Sequence, residues 1–316
     1  MTLGSLEIVK PGLLTSIQDL GRFGHQALGV PVAGPMDAFS LRLANQLVGN
    51  DADAATLEVT LIGPEVLFDA ETTVAIVGAV FEGTCDGRAI PMGASFAVHP
   101  GQRLKFGRVV QGARAYLAIA GGILTEAVLG SRATHLVSQM GGLTGRALSP
   151  GDRLPVLARP AARPSRKAFG LTLPTGGRAR LRVVPGPQDD WFDADALKAL
   201  TTVSFRISPR SNRMGYRLEG PPLARAREGE LISEPVGMGA IQVPGAGEPI
   251  LLMADRQTAG GYPKIAHVIS ADLPLAGQLA PGDFVEFILC TRQEAIAALI
   301  ARERQLLRYA VMKDAS

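Results

Sequence analysis

Short runs in which apolar and polar residues alternate, each closed by Gly, Pro or Asp, recur from one end of the chain to the other. Glu65-Val66-Leu67-Phe68, Val74-Ala75-Ile76-Val77, Arg180-Leu181-Arg182-Val183-Val184, Val203-Ser204-Phe205-Arg206-Ile207 and Phe284-Val285-Glu286-Phe287-Ile288 all have this form. A period of two turns one face of a pleated strand to a core and the other to solvent, and β-branched and aromatic residues fit that surface. With 37 Gly and 22 Pro to end such runs, the pattern predicts a mainly β protein with a few helices. Cys85-Asp86-Gly87-Arg88 carries the Asp-Gly hairpin signal, because a type I′ turn needs positive φ at both central positions.

Three stretches change period to that of a helix. Residues 35–48 put Phe39, Leu43, Ala44, Leu47 and Val48 on one stripe, with Gly49 as the C-cap. Residues 189–200 read as a helix burying Trp191, Phe192, Ala196, Leu197 and Leu200. The last helix opens with a Thr291/Glu294 capping box and stripes Ile296, Leu299, Ile300 and Leu307, a face suited to a barrel or a partner. At 316 residues the chain exceeds one typical domain. Arg22-Phe23-Gly24-His25 echoes Arg213-Met214-Gly215-Tyr216, and Pro-Gly before an alternating strand recurs at Pro100, Pro150 and Pro281. Two related β domains, 1–158 and 171–316, are therefore expected, joined by a polar, Pro-stiffened linker over 159–170.

Composition narrows the function classes. The net charge is only +3 with no block of like charges, which argues against nucleic acid. No apolar run approaches the ~20 residues of a membrane helix, and the first residues lack the basic and apolar regions of a signal peptide. Cys85 and Cys290 stand far apart, which fits a reducing cytoplasm and leaves no cysteine-based zinc site. The four histidines fall in no metal spacing. Neither a phosphate-binding loop nor a G-x-S-x-G elbow is present.

Three constellations can carry chemistry. Asp19 and Arg22 lie in a Gly-rich run and can pair, either as a brace for that loop or as part of a ligand site. Arg210, Arg213 and Arg217 fall within eight residues beside Asn212 and Tyr216, a grouping able to hold a carboxylate or phosphate. In the third, an apolar strand at Leu251-Leu252 runs into Asp255, Arg256, Gln257 and Thr258, then Gly260-Gly261 and Lys264. Glu234 and Gln242 lie upstream of it. Strand-end loops that gather charges beside glycines are where polar ligands are held, and an ammonium there can stabilise a developing oxyanion.

These strings together resemble the allophanate hydrolase subunit 2 group. That group includes the C-type subunit of bacterial 5-oxoprolinase, the antagonist of a kinase inhibitor, and part of the carboxyltransferase region of urea carboxylase. The likeness covers nearly the whole chain. It rests on Ser16-Ile17-Gln18-Asp19-Leu20-Gly21-Arg22, Arg213-Met214-Gly215-Tyr216-Arg217-Leu218-Glu219-Gly220-Pro221, Gly239-Ala240-Ile241-Gln242-Val243-Pro244 and Ala254-Asp255-Arg256-Gln257-Thr258 with Gly260-Gly261-Tyr262-Pro263-Lys264. Asn212 and Ala259 depart from it, where an acidic residue and a second Thr are expected.

The resemblance implies two tandem cyclophilin-like β-barrel domains and ATP-driven opening of 5-oxoproline to glutamate. It implies a B-type partner resembling allophanate hydrolase subunit 1 and a third oxoprolinase subunit, with ATP shared among them. It also implies catalytic roles for Lys264, Asp255 and Gln257, and substrate contacts from Arg213, Tyr216, Arg217, Arg256, Thr258, Gln242, Asp19 and Arg22. Two other readings follow from the same group. One is the carboxyltransferase half of a biotin-dependent urea or amide carboxylase, with biotin borne on another chain. The other is a non-catalytic partner of a kinase-inhibitor-like protein.

Overall fold

In the computed structural model, which describes residues 2–158, 171–227, 229 and 231–314, the alternating runs become strands. The chain divides into two compact units, one of Met1–Arg22, Ala33–Leu173 and Gln305–Ser316, the other of Phe23–Val32 and Pro174–Arg304. Relative to the domains expected from sequence, residues 23–32 group with the second unit and the end of the last helix with the first. The expected linker over 159–170 lies outside the described residues.

The first unit contains β1 (Thr2–Lys10), β2 (Leu14–Gln18), α1 (Ala38–Val48), β3 (Thr56–Thr60), β4 (Glu65–Phe68), β5 (Thr72–Phe81), β6 (Thr84–Cys85), β7 (Arg88–Ala89), β8 (Ser95–Val98), β9 (Arg103–Lys105), β10 (Val109–Ile119) and β11 (Arg153–Ala158). Its strands form a sheet in the order β11-β1-β4-β9-β6-β7 and a second in the order β2-β3-β10-β5-β8. Leu6, Ile8, Leu57, Val59, Val66, Phe68, Ile76 and Leu117 share one buried cluster. The Asp-Gly hairpin forms as expected, with φ of 46° at Asp86 and 79° at Gly87 joining β6 to β7. Helix α1 is capped by Asp37, whose carboxylate accepts the Ser40 amide, and ends at Gly49.

The second unit contains β12 (Arg178–Pro185), α2 (Ala194–Thr202), β13 (Phe205–Ile207), β14 (Gly215–Glu219), β15 (Glu234–Pro235), β16 (Ala240–Gln242), β17 (Ile250–Leu252), β18 (Ala259–Gly260), β19 (Lys264–Val268), α3 (Leu273–Gly277), β20 (Phe284–Leu289) and the start of α4 (Arg292–Asp314). Among the described residues, seven strands close a barrel in the order β12-β19-β16-β17-β14-β13-β20, sealed by a parallel β12–β20 pair. Leu181, Val183, Phe205, Ile207, Leu218, Ile241, Leu251, Val285 and Phe287 are buried in this unit, the apolar half of the alternation. The mainly β expectation holds.

The helices differ from expectation in detail. The stretch from 189 splits into a 3-10 turn (Asp189–Trp191) and α2, because Asp193 takes the N-cap role and its carboxylate accepts the Ala196 amide at 2.7 Å. Phe192, Ala196 and Leu200 are buried, whereas Leu197 is exposed. Helix α4 has its capping box, with Thr291 Oγ1 and N both donating to Glu294 and the Glu294 amide returning to Thr291. Its expected stripe is exposed at Ile296, Leu299, Ile300 and Leu307, and among its described residues Leu306 is the side chain it buries.

Candidate active site

Barrel register builds the cluster around Lys264. Antiparallel pairing of β16 with β19 sets Gln242 opposite Lys264, and the short ribbon β15–β18 sets Glu234 opposite Gly260. The Lys264 ammonium donates to Glu234 Oε1. Gln188 Nε2 donates to the same oxygen at 2.6 Å, and Gln188 Oε1 accepts the Lys264 amide at 3.2 Å. Alongside, Gln257 Nε2 donates to Gln242 Oε1 at 3.3 Å and Gln242 Nε2 to the Tyr262 carbonyl at 3.4 Å.

The electrostatics follow from unequal burial. Only 6 % of the Lys264 side chain is exposed, against 38 % for Glu234. A buried ammonium needs a compensating charge, and the half-open carboxylate supplies it. The Lys264 hydrogen bond holds the Glu234 carboxyl below its ordinary value, against the opposing effect of burial and with help from Gln188. The arrangement presents a directed cation and two carboxamides to one small region. Those groups can polarise a carbonyl and match the N–H and C=O of an amide.

Lys264 therefore takes Glu234, not the neighbouring Asp255, as its carboxylate. Asp255 instead holds Arg213, through bonds of 3.0 and 3.1 Å between two almost fully buried side chains. The acidic residue missing at Asn212 has no consequence for that charge. Asn212 Oδ1 turns to the Met214 amide at 2.8 Å, and Asp255 neutralises the arginine. Arg213 is thus engaged by a protein carboxylate. Arg256 donates to the Val236 and Met253 carbonyls at 3.2 and 3.4 Å, and burial pushes its guanidinium pKa down against the opposing charge of Asp255. Thr258 offers its carbonyl to the Val236 amide at 3.0 Å.

The remaining expected site residues lie elsewhere. Tyr216 is buried in the barrel unit with its hydroxyl donating to the Leu279 carbonyl at 3.2 Å. Arg217, next to it on β14, is exposed. Asp19 and Arg22 belong to the first unit and brace one loop there. Asp19 accepts the Gly21 amide at 2.9 Å, the Ser131 hydroxyl and the Arg132 amide, while Arg22 donates to the Val128 and Ala133 carbonyls. Among the described residues, no three His, Cys, Asp or Glu side chains gather as a metal site.

Gln188 escapes sequence reading. The one signal is Pro185-Gly186-Pro187 just before it, a tight turn that fixes whatever side chain follows.

A mainly β chain with a closed barrel and this polar cluster belongs to the carboxyltransferase-domain family, subdomains A and B, whose profile matches residues 28–289. It is 41 % identical over 299 residues to the C-type subunit of 5-oxoprolinase from Escherichia coli, spanning 95 % of this chain and 96 % of that protein. It is 37 % identical over 306 residues to the urea amidolyase of Saccharomyces cerevisiae, spanning 90 % of this chain but only 16 % of that protein. The crystal structure of the Kluyveromyces lactis urea amidolyase superposes with a TM-score of 0.89 at 33 % identity, covering 96 % of this chain and 20 % of that one. No helix among the described residues is long and apolar enough to cross a membrane.

Proposed function

We propose that this chain is the C-type subunit of an ATP-dependent 5-oxoprolinase, opening 5-oxoproline to L-glutamate together with A-type and B-type partner subunits. The observation that carries this reading is Lys264, a buried ammonium aimed by Glu234, on a strand position set opposite Gln242, whose carboxamide holds that of Gln257. Identity to the corresponding 5-oxoprolinase chain of Escherichia coli along almost its full length supports the same reading.

Opening a lactam builds negative charge on the carbonyl oxygen as a nucleophile adds. An ammonium placed at that oxygen stabilises the charge, and the low exposure around Lys264 strengthens the effect. Gln257 and Gln242 match the ring amide, one acceptor to its N–H and one donor to its carbonyl. Glu234 keeps the lysine directed. ATP supplies the driving force, and most of its contacts are assigned to the partner chains, since this chain offers no phosphate-binding loop.

Co-expression with the partner chains and an assay of ATP-dependent glutamate release from 5-oxoproline tests the reading. Lys264→Ala in an intact complex should abolish release; unchanged turnover would overturn the assignment. The urea amidolyase matches favour a second reading, transfer of a carboxyl group to an amide at the same cluster, with biotin carried by another chain. A fully assembled complex that releases no glutamate from 5-oxoproline would favour that alternative.

A further inference from the structure

Gln188 is buried in the turn after β12, and its carboxamide serves one pair of residues at both ends. Its Oε1 accepts the Lys264 backbone amide at 3.2 Å while its Nε2 donates to Glu234 Oε1 at 2.6 Å. The turn itself is tied to the same strand. The Gln188 amide donates to the Lys264 carbonyl at 3.3 Å, and the Gly186 amide to the Ile265 carbonyl at 3.0 Å. A Cβ at Gly186 would strike the Lys264 carbonyl, so only glycine lets the turn lie this close to β19. Gln188 is thereby anchored to the backbone of the residue whose side chain it faces.

Glu234 is held less firmly. It sits on a two-residue strand paired with Ala259–Gly260, and its side chain keeps 38 % of its surface exposed. A carboxylate so placed can turn out to water. An oxygen that accepts two donors from fixed directions cannot, and a hydrogen bond to a charged acceptor is among the stronger ones.

We infer that Gln188 is a positioning residue that locks the Glu234 carboxylate onto Lys264 and so fixes the direction of the ammonium. This rests on the reading of Lys264 as the group that polarises the substrate carbonyl. Gln188 acts through Glu234 and needs no contact with substrate.

The test uses Gln188→Met, which keeps the volume and removes both hydrogen bonds, and Gln188→Glu, which keeps the length but replaces the donor with a second carboxylate. Acetic anhydride labelling of the full chain, quantified at Lys264 by mass spectrometry, reads the lock without any assay of turnover. Release of the ammonium should raise the labelling rate at Lys264 about tenfold, the size expected for one charge-assisted hydrogen bond. In the assembled complex, kcat for glutamate release should fall with KM unchanged, the pattern of a group that acts on the transition state alone. Should Gln188→Met not fold, Gln188→Asn is one methylene too short to bridge and serves in its place. Unchanged Lys264 labelling in folded variants overturns the inference. Raised labelling with unchanged turnover upholds the lock and instead overturns the catalytic assignment of Lys264.

Discussion

Arg213 and Asp255 are joined twice, by side-chain hydrogen bonds of 3.0 and 3.1 Å and by a 2.8 Å bond from the Asp255 amide to the Arg213 carbonyl. The pair fastens the entry to β14 to the loop that follows β17, so the loop carrying Gln257 starts from a fixed point. Both side chains are almost fully buried, and losing one strands the other charge. Asp255→Ala is expected to cost about 3–5 kcal/mol, whereas Arg213→Met combined with Asp255→Leu should recover most of that loss. Fluorescence of Trp191, the single tryptophan and a member of the same unit, follows unfolding in urea. A double variant no more stable than Asp255→Ala alone would contradict the assignment.

Gln257 reaches Gln242 rather than Lys264. If the two carboxamides bind the substrate amide equally in ground and transition states, Gln257→Met should raise KM about tenfold and leave kcat near wild type. Steady-state kinetics of glutamate release by the assembled complex measures both. A fall in kcat at constant KM would place Gln257 in the chemical step.

The Lys264–Glu234 pair also links stability to pH. The Glu234 carboxyl is held below its ordinary value of 4.5, first by the Lys264 hydrogen bond. A depressed carboxyl contributes stability that is present above 4.5 and is lost as pH falls through the folded-state value. Glu234→Gln should therefore melt below wild type at pH 7, and the gap should close as pH drops under 4.5. Thermal denaturation followed by circular dichroism from neutral pH into the acid range checks it. A gap that persists at the acid end would mean that the charge of Glu234 is not what matters.

What the sequence made legible was local chemistry. The Asp86-Gly87 turn, the Gly49 cap and the Thr291/Glu294 box each depend on residues within a few positions, and each forms as read. The polar end of the run at Lys264 was legible too, because a buried strand has no use for it. Glu234 was grouped with it, but its pairing with Lys264 was not read, and Gln188 was missed. Glu234 lies 30 residues away and Gln188 76, and only the pairing of β15 with β18 and the turn after β12 bring them in. Asp255, beside Lys264 in sequence, was the obvious carboxylate, but its backbone is tied to Arg213 and its side chain follows. The α4 stripe failed for another reason. Periodicity shows that Ile296, Leu299 and Ile300 share a face, yet it cannot say whether anything covers that face.

Tyr116 in the first unit offers a test independent of any activity. Its hydroxyl donates to Glu58 Oε2 at 2.8 Å and accepts the Asp37 amide at 2.8 Å, tying β10 to β3 and to the N-cap of α1. Burial, followed by the charges of Glu58 and Asp37, pushes the phenol well above its ordinary 10. A raised folded-state pKa means that its contribution is complete below pH 10 and is lost as pH climbs beyond it. Tyr116→Phe leaves a buried amide and a buried carboxylate each one partner short, at a cost of about 1–3 kcal/mol in denaturant at neutral pH. In a difference titration of wild type against Tyr116→Phe, the phenolate absorbance should emerge only with the loss of circular dichroism. A reversible step near pH 10 in the folded protein would show that Tyr116 is not sealed in this network.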